Sequence, residues 1–408
     1  MGIEIRNAVP AEYTALVEAM TTGFLERPDV ARIARAVETW WEPSRTWAAF
    51  DGDRVCGTFR SWQTELTVPG LARLPAAAVA GVTVLPTHRR RGILRRMTAA
   101  EHAAIRERGE AVGLLYASEY PIYGRFGYGP ACRVTTWTLD VRGTAFHGEP
   151  VSGVELVTPS AAARDEIIGV YEAGRVRQPG EIWRRPGRWD VDLGLEEATW
   201  DEPWKGFLAL HRDPAGAVDG YVRYRAELKW EERQPRGRIS VNDLHALTDA
   251  AYAALWRFLA ETDLAATVVA EGRTPSERLP WLLTNHRAAV ASRIGEGLWV
   301  RLFDVRRALA TRGYEREDTL VLEVVDPELD APLRLRLDAS LAGARCEATG
   351  ASPDLTLPVA ALGAAYLGGT RLRDAVIGTG ADEHTTGALA RADALFRTAD
   401  EPWCSTFF

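Results

Sequence analysis

The residues best placed to do chemistry are Val82-Thr83-Val84-Leu85-Pro86-Thr87-His88-Arg89-Arg90-Arg91-Gly92-Ile93-Leu94-Arg95-Arg96-Met97. A β-branched apolar run stops at Pro86, a basic loop follows, and a helix opens at Gly92. The first N–H groups of such a helix have no partner and its dipole adds about half a positive charge, so anions collect there. Gly92 lets the backbone meet a pyrophosphate with no side chain between them, and Arg90, Arg91 and Arg95 add charge-assisted hydrogen bonds. The chemistry is that of holding a phosphorylated ligand. A P-loop needs G-x-x-x-x-G-K-[ST] and a Rossmann fingerprint needs three spaced glycines. This loop has one glycine and no Lys-Ser or Lys-Thr after it, so it is neither. An arginine run before a helix is more often a solvated surface, and the helix itself decides the matter. Leu94, Met97, Ala104 and Ile105 share one face, which docks the helix and fixes its N-terminus in space.

The elements that must position this loop are mixed α/β. Residues 3–5 alternate as a strand, a helix covers 11–23, and strands at 46–50 and 54–67 flank Asp51-Gly52-Asp53, a hairpin turn. Residues 79–85 form a buried strand, the helix of the basic loop runs to 108, and 113–118 is a second buried strand. A turn-rich stretch at 120–130 offers two phenols, Tyr123 and Tyr128, and spacing does not choose between them. A further strand at 133–141 completes a first unit, 1–141. The pattern loosely recurs over 142–296, with a helix at 160–176, a hairpin at 207–224 turning on Asp213-Pro214, and a helix at 243–260. That second unit has no counterpart of the basic loop and is expected not to catalyse. A third, α+β unit spans 297–408, with strands at 320–325 and 333–337 and helices from 358 and 387. No linker is long or Gly/Ser-rich, so the units are expected to pack tightly.

Composition excludes several classes. The chain has 408 residues, 46% hydrophobic and 26% charged, enough for several cores and outside the disordered, collagenous and disulfide-scaffold ranges. Its formal charge of -7 disfavours a nucleic-acid partner and mildly favours a cationic small substrate. Lys205 and Lys229 are the only lysines, which reflects coding bias rather than chemistry. Cys56, Cys132, Cys346 and Cys404 lack metal or disulfide spacing and read as reduced buried thiols, with no metal expected. No signal peptide, acylation signal or apolar stretch of membrane-spanning length is present, so a cytoplasmic location is expected. His88, His102 and His384 stand alone, and lone histidines are more often packed or surface residues. Chain ends normally fray, but Trp403, Phe407 and Phe408 make this tail apolar enough to be buried.

The motif V-T-V-x-P-x-x-R-R-R-G-I-L-R, then Ser118-Glu119 and Ile122-Tyr123-Gly124-Arg125-Phe126-Gly127-Tyr128-Gly129, resembles the Eis (enhanced intracellular survival) branch of the GNAT acetyltransferases. The general GNAT loop is R/Q-x-x-G-x-G/A, and Leu94 departs from its final small residue as the Eis branch does. The resemblance covers the whole chain, through an Arg/Trp-rich stretch at 175–189 and the closing Pro402-Trp403-Cys404-Ser405-Thr406-Phe407-Phe408. It implies α/β and α+β architecture: tandem GNAT-like domains, mixed sheets with flanking helices, then a sterol-carrier-like C-terminal domain, assembled as a hexamer. It implies acetyl-CoA as co-substrate and N-acetylation of primary amines, either aminoglycoside-like polyamines or lysine side chains, by direct attack in a ternary complex. By position, Val82, Thr83 and Val84 would hold the pantetheine arm. Arg90, Arg91, Gly92, Ile93, Leu94 and Arg95 would hold the pyrophosphate, and Ser118 and Glu119 would border the coenzyme. Tyr123 becomes the general acid by family register, and the α-carboxylate of Phe408 the base. Phe407 stands where an acid would help to hold a polyamine. The alternative is a lipid or small-molecule binding protein that works through the third domain, with a non-catalytic first.

These roles meet the demands of the reaction. A phenol of pKa about 10 can protonate a thiolate of pKa about 8.5 when positioned for it. An α-carboxylate of pKa about 3.5 strips an ammonium only where desolvation, or ordered water, narrows the gap between them. A main-chain N–H near Thr83 or Val84 would stabilise the developing oxyanion.

Overall fold

The computed structural model describes residues 2–27, 29–38, 40–149, 152–196 and 204–408. The chain opens with β1 (Glu4–Asn7), α1 (Tyr13–Gly23) and α2 (Val30–Val37). It continues through β2 (Thr46–Asp51), β3 (Arg54–Thr67), β4 (Arg73–Val84), α3 (Ile93–Glu107) and β5 (Val112–Leu115). Strands β1 to β4 form an antiparallel meander, and β5 returns parallel to β4 after the α3 crossover. Gly52, at φ +59°, closes the β2–β3 turn that Asp51-Gly52-Asp53 predicts. Helix α2 has no counterpart in the sequence reading. Asp29 caps it by accepting the Arg32 N–H at 3.0 Å.

Two strands sit in a different sheet from the one local order suggests. Trp299–Leu302, expected in the third unit, pairs with β5 on one side and Gly129–Pro130 on the other, closing the first sheet. Arg133–Asp140, expected in the first unit, lies between Ala289–Glu296 and Ala265–Arg273 in the second. The second sheet continues through Gly237–Ala246, Val218–Glu227, Phe207–Arg212 and Val154–Val157, with helices Ala161–Arg175 and Asp249–Ala260. The helix expected from residue 243 therefore starts at Asp249, and Asp243 is on a strand whose buried positions alternate. A third, five-stranded sheet is built around Asp318–Val325, flanked by Leu333–Ser340 and Leu355–Pro358.

The expected tight packing has a physical basis in a shared core. Leu74, Ala76 and Val112 of the first sheet and Leu320, Leu322 and Leu357 of the third lie in one buried apolar cluster. Arg301 crosses the same boundary fully buried. It donates to Asp326 at 2.9 Å, to Glu328 at 2.9 Å and to the Phe126 carbonyl, fixing the turn that carries Tyr123. All four cysteines are free and buried. Among the described residues, no helix is long and apolar enough to cross a membrane. No cluster of three His, Cys, Asp or Glu among them could hold a metal ion.

Candidate active site

Strand β4 pairs with β5 only from Ala76 to Val79, yet runs on to Val84. The two parallel strands therefore fork at their C-terminal ends, the usual place for a ligand in a sheet of this kind. A bulge sharpens the fork. Thr58 opposes Thr83 and Arg60 opposes Ala80, so Gly81 and Val82 together face one residue of β3. Gly81 takes φ +61°, and a Cβ there would come within 2.8 Å of the Met20 sulfur. The Thr58 hydroxyl donates to the Gly81 carbonyl at 2.7 Å and holds the bulge. The bulge turns Val82, Thr83 and Val84 along the open edge.

The basic loop stands at the tip of β4. Gly92 is the N-cap of α3 in the left-handed region, with no side-chain cap, and a Cβ there would meet nothing within 4 Å. Arg90 is also left-handed, at φ +64°, an unfavourable conformation for a non-glycine residue that concentrates at ligand-binding loops. Arg90, Arg91 and Arg95 are exposed, and among the described residues Arg90 and Arg95 have no hydrogen-bond or ion-pair partner. His88 is committed to the loop's geometry. Its Nδ1 lies 2.8 Å from the Thr87 hydroxyl and its Nε2 3.2 Å from Asp51. Helix α3 is clamped by fully buried Glu101, which accepts from Trp47 Nε1 at 2.7 Å and from Arg108 at 2.6 Å. Open backbone donors, free guanidinium groups and a rigid helix fit an extended anionic ligand such as a coenzyme pyrophosphate.

This fit makes Gly92→Ala informative. The methyl clashes with nothing in the protein, so the cost is backbone strain of about 1–2 kcal/mol plus loss of close approach to the ligand. The KM for acetyl-CoA should rise about tenfold while kcat stays within about twofold. An unchanged KM in steady-state kinetics would remove Gly92 from the coenzyme loop.

The two phenols differ in their surroundings. Tyr128 is 1% exposed, and its hydroxyl donates to His102 Nε2 at 3.3 Å. His102 Nδ1 in turn meets Glu328 at 2.6 Å, and burial holds the imidazole below its ordinary pKa despite that carboxylate. His102 is thus neutral and donates through Nδ1, a structural link to the third sheet. Tyr123 shares an apolar cluster with Ile93 and Leu115, against which Val82, Val84 and Leu94 pack. Its hydroxyl makes no hydrogen bond within the described residues. Burial, helped by the Glu119 charge, pushes its pKa up to about 12. Ser118 and Glu119 are exposed on the turn between β5 and Tyr123.

The chain end is packed except at one residue: Trp403 is buried and Phe408 half-buried, whereas Phe407, expected to be buried with them, is 67% exposed. The Phe408 ring meets Tyr116 at 5.1 Å and Trp62 at 5.0 Å, both edge-to-face. Leu115 and Tyr116, consecutive at the end of β5, belong to the Tyr123 cluster and the Phe408 contact respectively. Both groups are therefore built around the fork, and no hydrogen bond joins them among the described residues. His384 lies elsewhere, 2.8 Å from Thr356. The sequence reading missed a pocket of 520 Å³ beside Trp62, lined in part by Trp40, Glu42, Glu65, Glu172 and Trp183. Its only linear signal is the Arg/Trp-rich stretch at 175–189.

Comparison with known proteins agrees with this architecture. Residues 4–131 and 176–306 each match an acetyltransferase (GNAT) domain family, and 305–405 match a sterol carrier protein domain. N-acetyltransferase Eis of Mycobacterium tuberculosis is 35% identical over 365 residues, covering 87% of this chain and 86% of that protein. An uncharacterized N-acetyltransferase of Streptomyces griseus is 41% identical, covering 100% of both chains. The crystal structure of Eis1 from Mycobacterium abscessus superposes with a TM-score of 0.84 at 32% identity, covering 100% of both chains. A GCN5-related N-acetyltransferase of Anabaena variabilis, at 19% identity and a TM-score of 0.84, shares the fold. With its forked sheet, its basic loop and its three-part architecture, the chain belongs to the Eis family of GNAT N-acetyltransferases, two GNAT domains followed by a sterol-carrier-like domain.

Proposed function

We propose that the enzyme acetylates primary amines of cationic small molecules, aminoglycoside-like polyamines among them, or of lysine side chains, by direct attack within a ternary complex. The observation that carries the acceptor class is the pocket beside Trp62. Its volume of 520 Å³ suits a small ligand, and three tryptophans with Glu42, Glu65 and Glu172 suit a cation. Arg175 and Arg185 also line it: Arg175 pairs with Glu172 at 2.6 Å and Glu65 at 3.5 Å, and Arg185 lies over Trp40 and Trp62, so these walls already hold cations and an incoming ammonium would compete with them. Trp62 walls this pocket and touches Phe408, so an amine held there lies beside the chain end.

GNAT acetyltransferases use acetyl-CoA, which supplies an acetyl group activated as a thioester. In this reading Arg90, Arg91 and Arg95, with the backbone of Gly92, Ile93 and Leu94, hold the pyrophosphate. Val82, Thr83 and Val84 hold the pantetheine arm, and Ser118 and Glu119 border it. The Phe408 carboxylate takes the proton from the acceptor ammonium, and Tyr123 gives one to the departing sulfur. Direct attack is supported by the state of the thiols. Burial raises the pKa of all four cysteines, Cys346 to about 12, so none offers a thiolate to carry the acyl group. A division into units 1–141, 142–296 and 297–408, in which Arg133–Asp140 is lent to the second sheet and Trp299–Leu302 to the first, a hexameric assembly and a cytoplasmic location belong to the same proposal, and light scattering of the purified chain tests the assembly.

The experiment is a panel of mono-, di- and polyamines and lysine peptides with acetyl-CoA or propionyl-CoA, read by mass spectrometry for number and position of acyl groups. Primary amines next to a second cation should be acylated first and show the lowest KM. Failure to bind acetyl-CoA, with no amine acylated, would favour a lipid or small-molecule binding role instead.

A further inference from the structure

The second GNAT domain repeats the fork of the first. Gly237–Ala246 pairs in parallel with Ala265–Arg273 only from Gly237 to Val241, against Ala265 to Ala270, and beyond that the strands part. The helix that follows is built differently. Its N-cap, Thr248, accepts the Ala251 N–H at 3.1 Å, and Asp249 places a carboxylate in the first turn. A phosphate would meet a satisfied donor and a like charge there.

This second fork is filled by the chain's own tail. Trp403 bridges the prongs: its Nε1–H donates to the Gly272 carbonyl at 2.8 Å on one strand, and its ring stacks on His245 of the other. The Arg273 guanidinium lies 4.5 Å over the same ring. Beyond it, Glu181 accepts the Ser405 N–H at 2.9 Å, the Ser405 hydroxyl at 2.6 Å and the Thr406 hydroxyl at 3.0 Å. Arg184 donates to Thr406 at 2.7 Å, to Ser405 at 2.8 Å and to Asp243 at 2.6 Å. Glu181, Arg184, Asp243 and Thr406 are all buried. Past Thr406 only two residues remain, so at about 3.5 Å per residue the terminal carboxylate stays within about 7 Å of an anchored atom.

We propose that the second domain's disused coenzyme fork is the socket that aims the terminal carboxylate, with Glu181 and Arg184 as positioning residues that act through Ser405 and Thr406. The inference rests on the reading of Phe408 as the base and assigns the non-catalytic domain its part in that base's work. It predicts that loosening the socket lowers the chemical step and leaves coenzyme binding alone.

Glu181→Gln and Thr406→Val test it, the latter keeping the buried charges if the former fails to fold. Each should lower kcat about 10- to 100-fold, as misplacement of a reacting group does, with KM for acetyl-CoA within about twofold. Carboxypeptidase should release Phe408 faster from either variant than from the native chain. In a chain lacking Phe408, Glu181→Gln should cost less than about twofold more, since its effect runs through a carboxylate that the truncation has already moved out of place. Native kcat in both variants while the Phe408 deletion is slow overturns the socket and spares the base. Full additivity of Glu181→Gln with the deletion also overturns the socket. Native kcat without Phe408 overturns the base reading and the socket's purpose with it.

Discussion

Deleting Phe408 should lower kcat for acetyl transfer by about 10²- to 10⁴-fold, the range for loss of a positioned general base. The deletion moves the terminal carboxylate back by one residue, onto Phe407, and removes two edge-to-face ring contacts, with Tyr116 and Trp62, and controls separate these losses. Adding one glycine after Phe408 keeps the ring and displaces the carboxylate by about 3.5 Å, and should cost nearly as much as deletion. Phe408→Ala keeps a terminal carboxylate and loses the two ring contacts, each worth about 0.5–1.5 kcal/mol beyond its buried area, and should cost about tenfold. The pH dependence is diagnostic. An acceptor ammonium of pKa about 10.4 is almost fully charged at pH 7 and deprotonates unaided as the pH rises, so the deletion's deficit should shrink towards pH 10. Native turnover from both the deletion and the glycine extension would take the base away from the chain end.

Stability on acidification follows from the same tail. Burial would raise the Glu181 carboxyl, but Arg184, His245 and Ser405 outweigh it and hold it below 4.5. Asp243 is held well below 3.8 against its own burial, chiefly by Arg184 and His245. Carboxyls depressed in the folded state stabilise it above their unfolded values and lose that contribution as the pH falls through the folded ones. Thermal stability should therefore hold down to about pH 4.5 and fall below it, less steeply in Glu181→Gln. An identical pH profile of melting in the variant would show that Glu181 carries no such linkage.

The basic loop was legible because its determinants are contiguous: a strand stopped by Pro86, free cations, a left-handed Gly92 and a helix with one apolar face. The β2–β3 hairpin was legible for the same reason. Trp299–Leu302 and Arg133–Asp140 have ordinary strand periodicity, and nothing local says which sheet they join, since the pairing is decided by partners far along the chain. The helix expected from residue 243 failed through a misplaced start. Residues 237–246 alternate as a strand, and Thr248 is the cap that marks the helix. The tail network was invisible for a deeper reason. Nothing in the linear sequence marks Glu181, Arg184 and Asp243 as buried: Arg184 meets partners 59 and 222 positions away, which makes their burial tolerable. Spacing leaves Tyr123 and Tyr128 equivalent and only family register prefers Tyr123; in the structure they differ in the partner each hydroxyl has or lacks.

Replacing Tyr123 by phenylalanine should lower kcat about 10²-fold or more, with little change in KM for acetyl-CoA, because the ring and its apolar cluster persist and only the proposed proton donor goes. Tyr128→Phe is the matched control. It removes a buried hydrogen bond to His102, worth about 0.5–1.5 kcal/mol of stability, and should leave kcat within about threefold. Burial complicates the acid's task and also resolves it. A phenol at about 12 is a poor donor to a thiolate of ordinary pKa, but a thiolate forming in the same desolvated cluster has its own proton affinity raised, so the mismatch narrows. The raised value also fixes a sign: Tyr123 stays protonated across the working range, so the native enzyme should show no alkaline loss of kcat from this group below about pH 11. A donor thioester whose thiol is more acidic needs less help to leave. Its rate should therefore fall less in Tyr123→Phe than that of acetyl-CoA, and an equal fall for both donors would place the phenol's work somewhere other than on the departing sulfur.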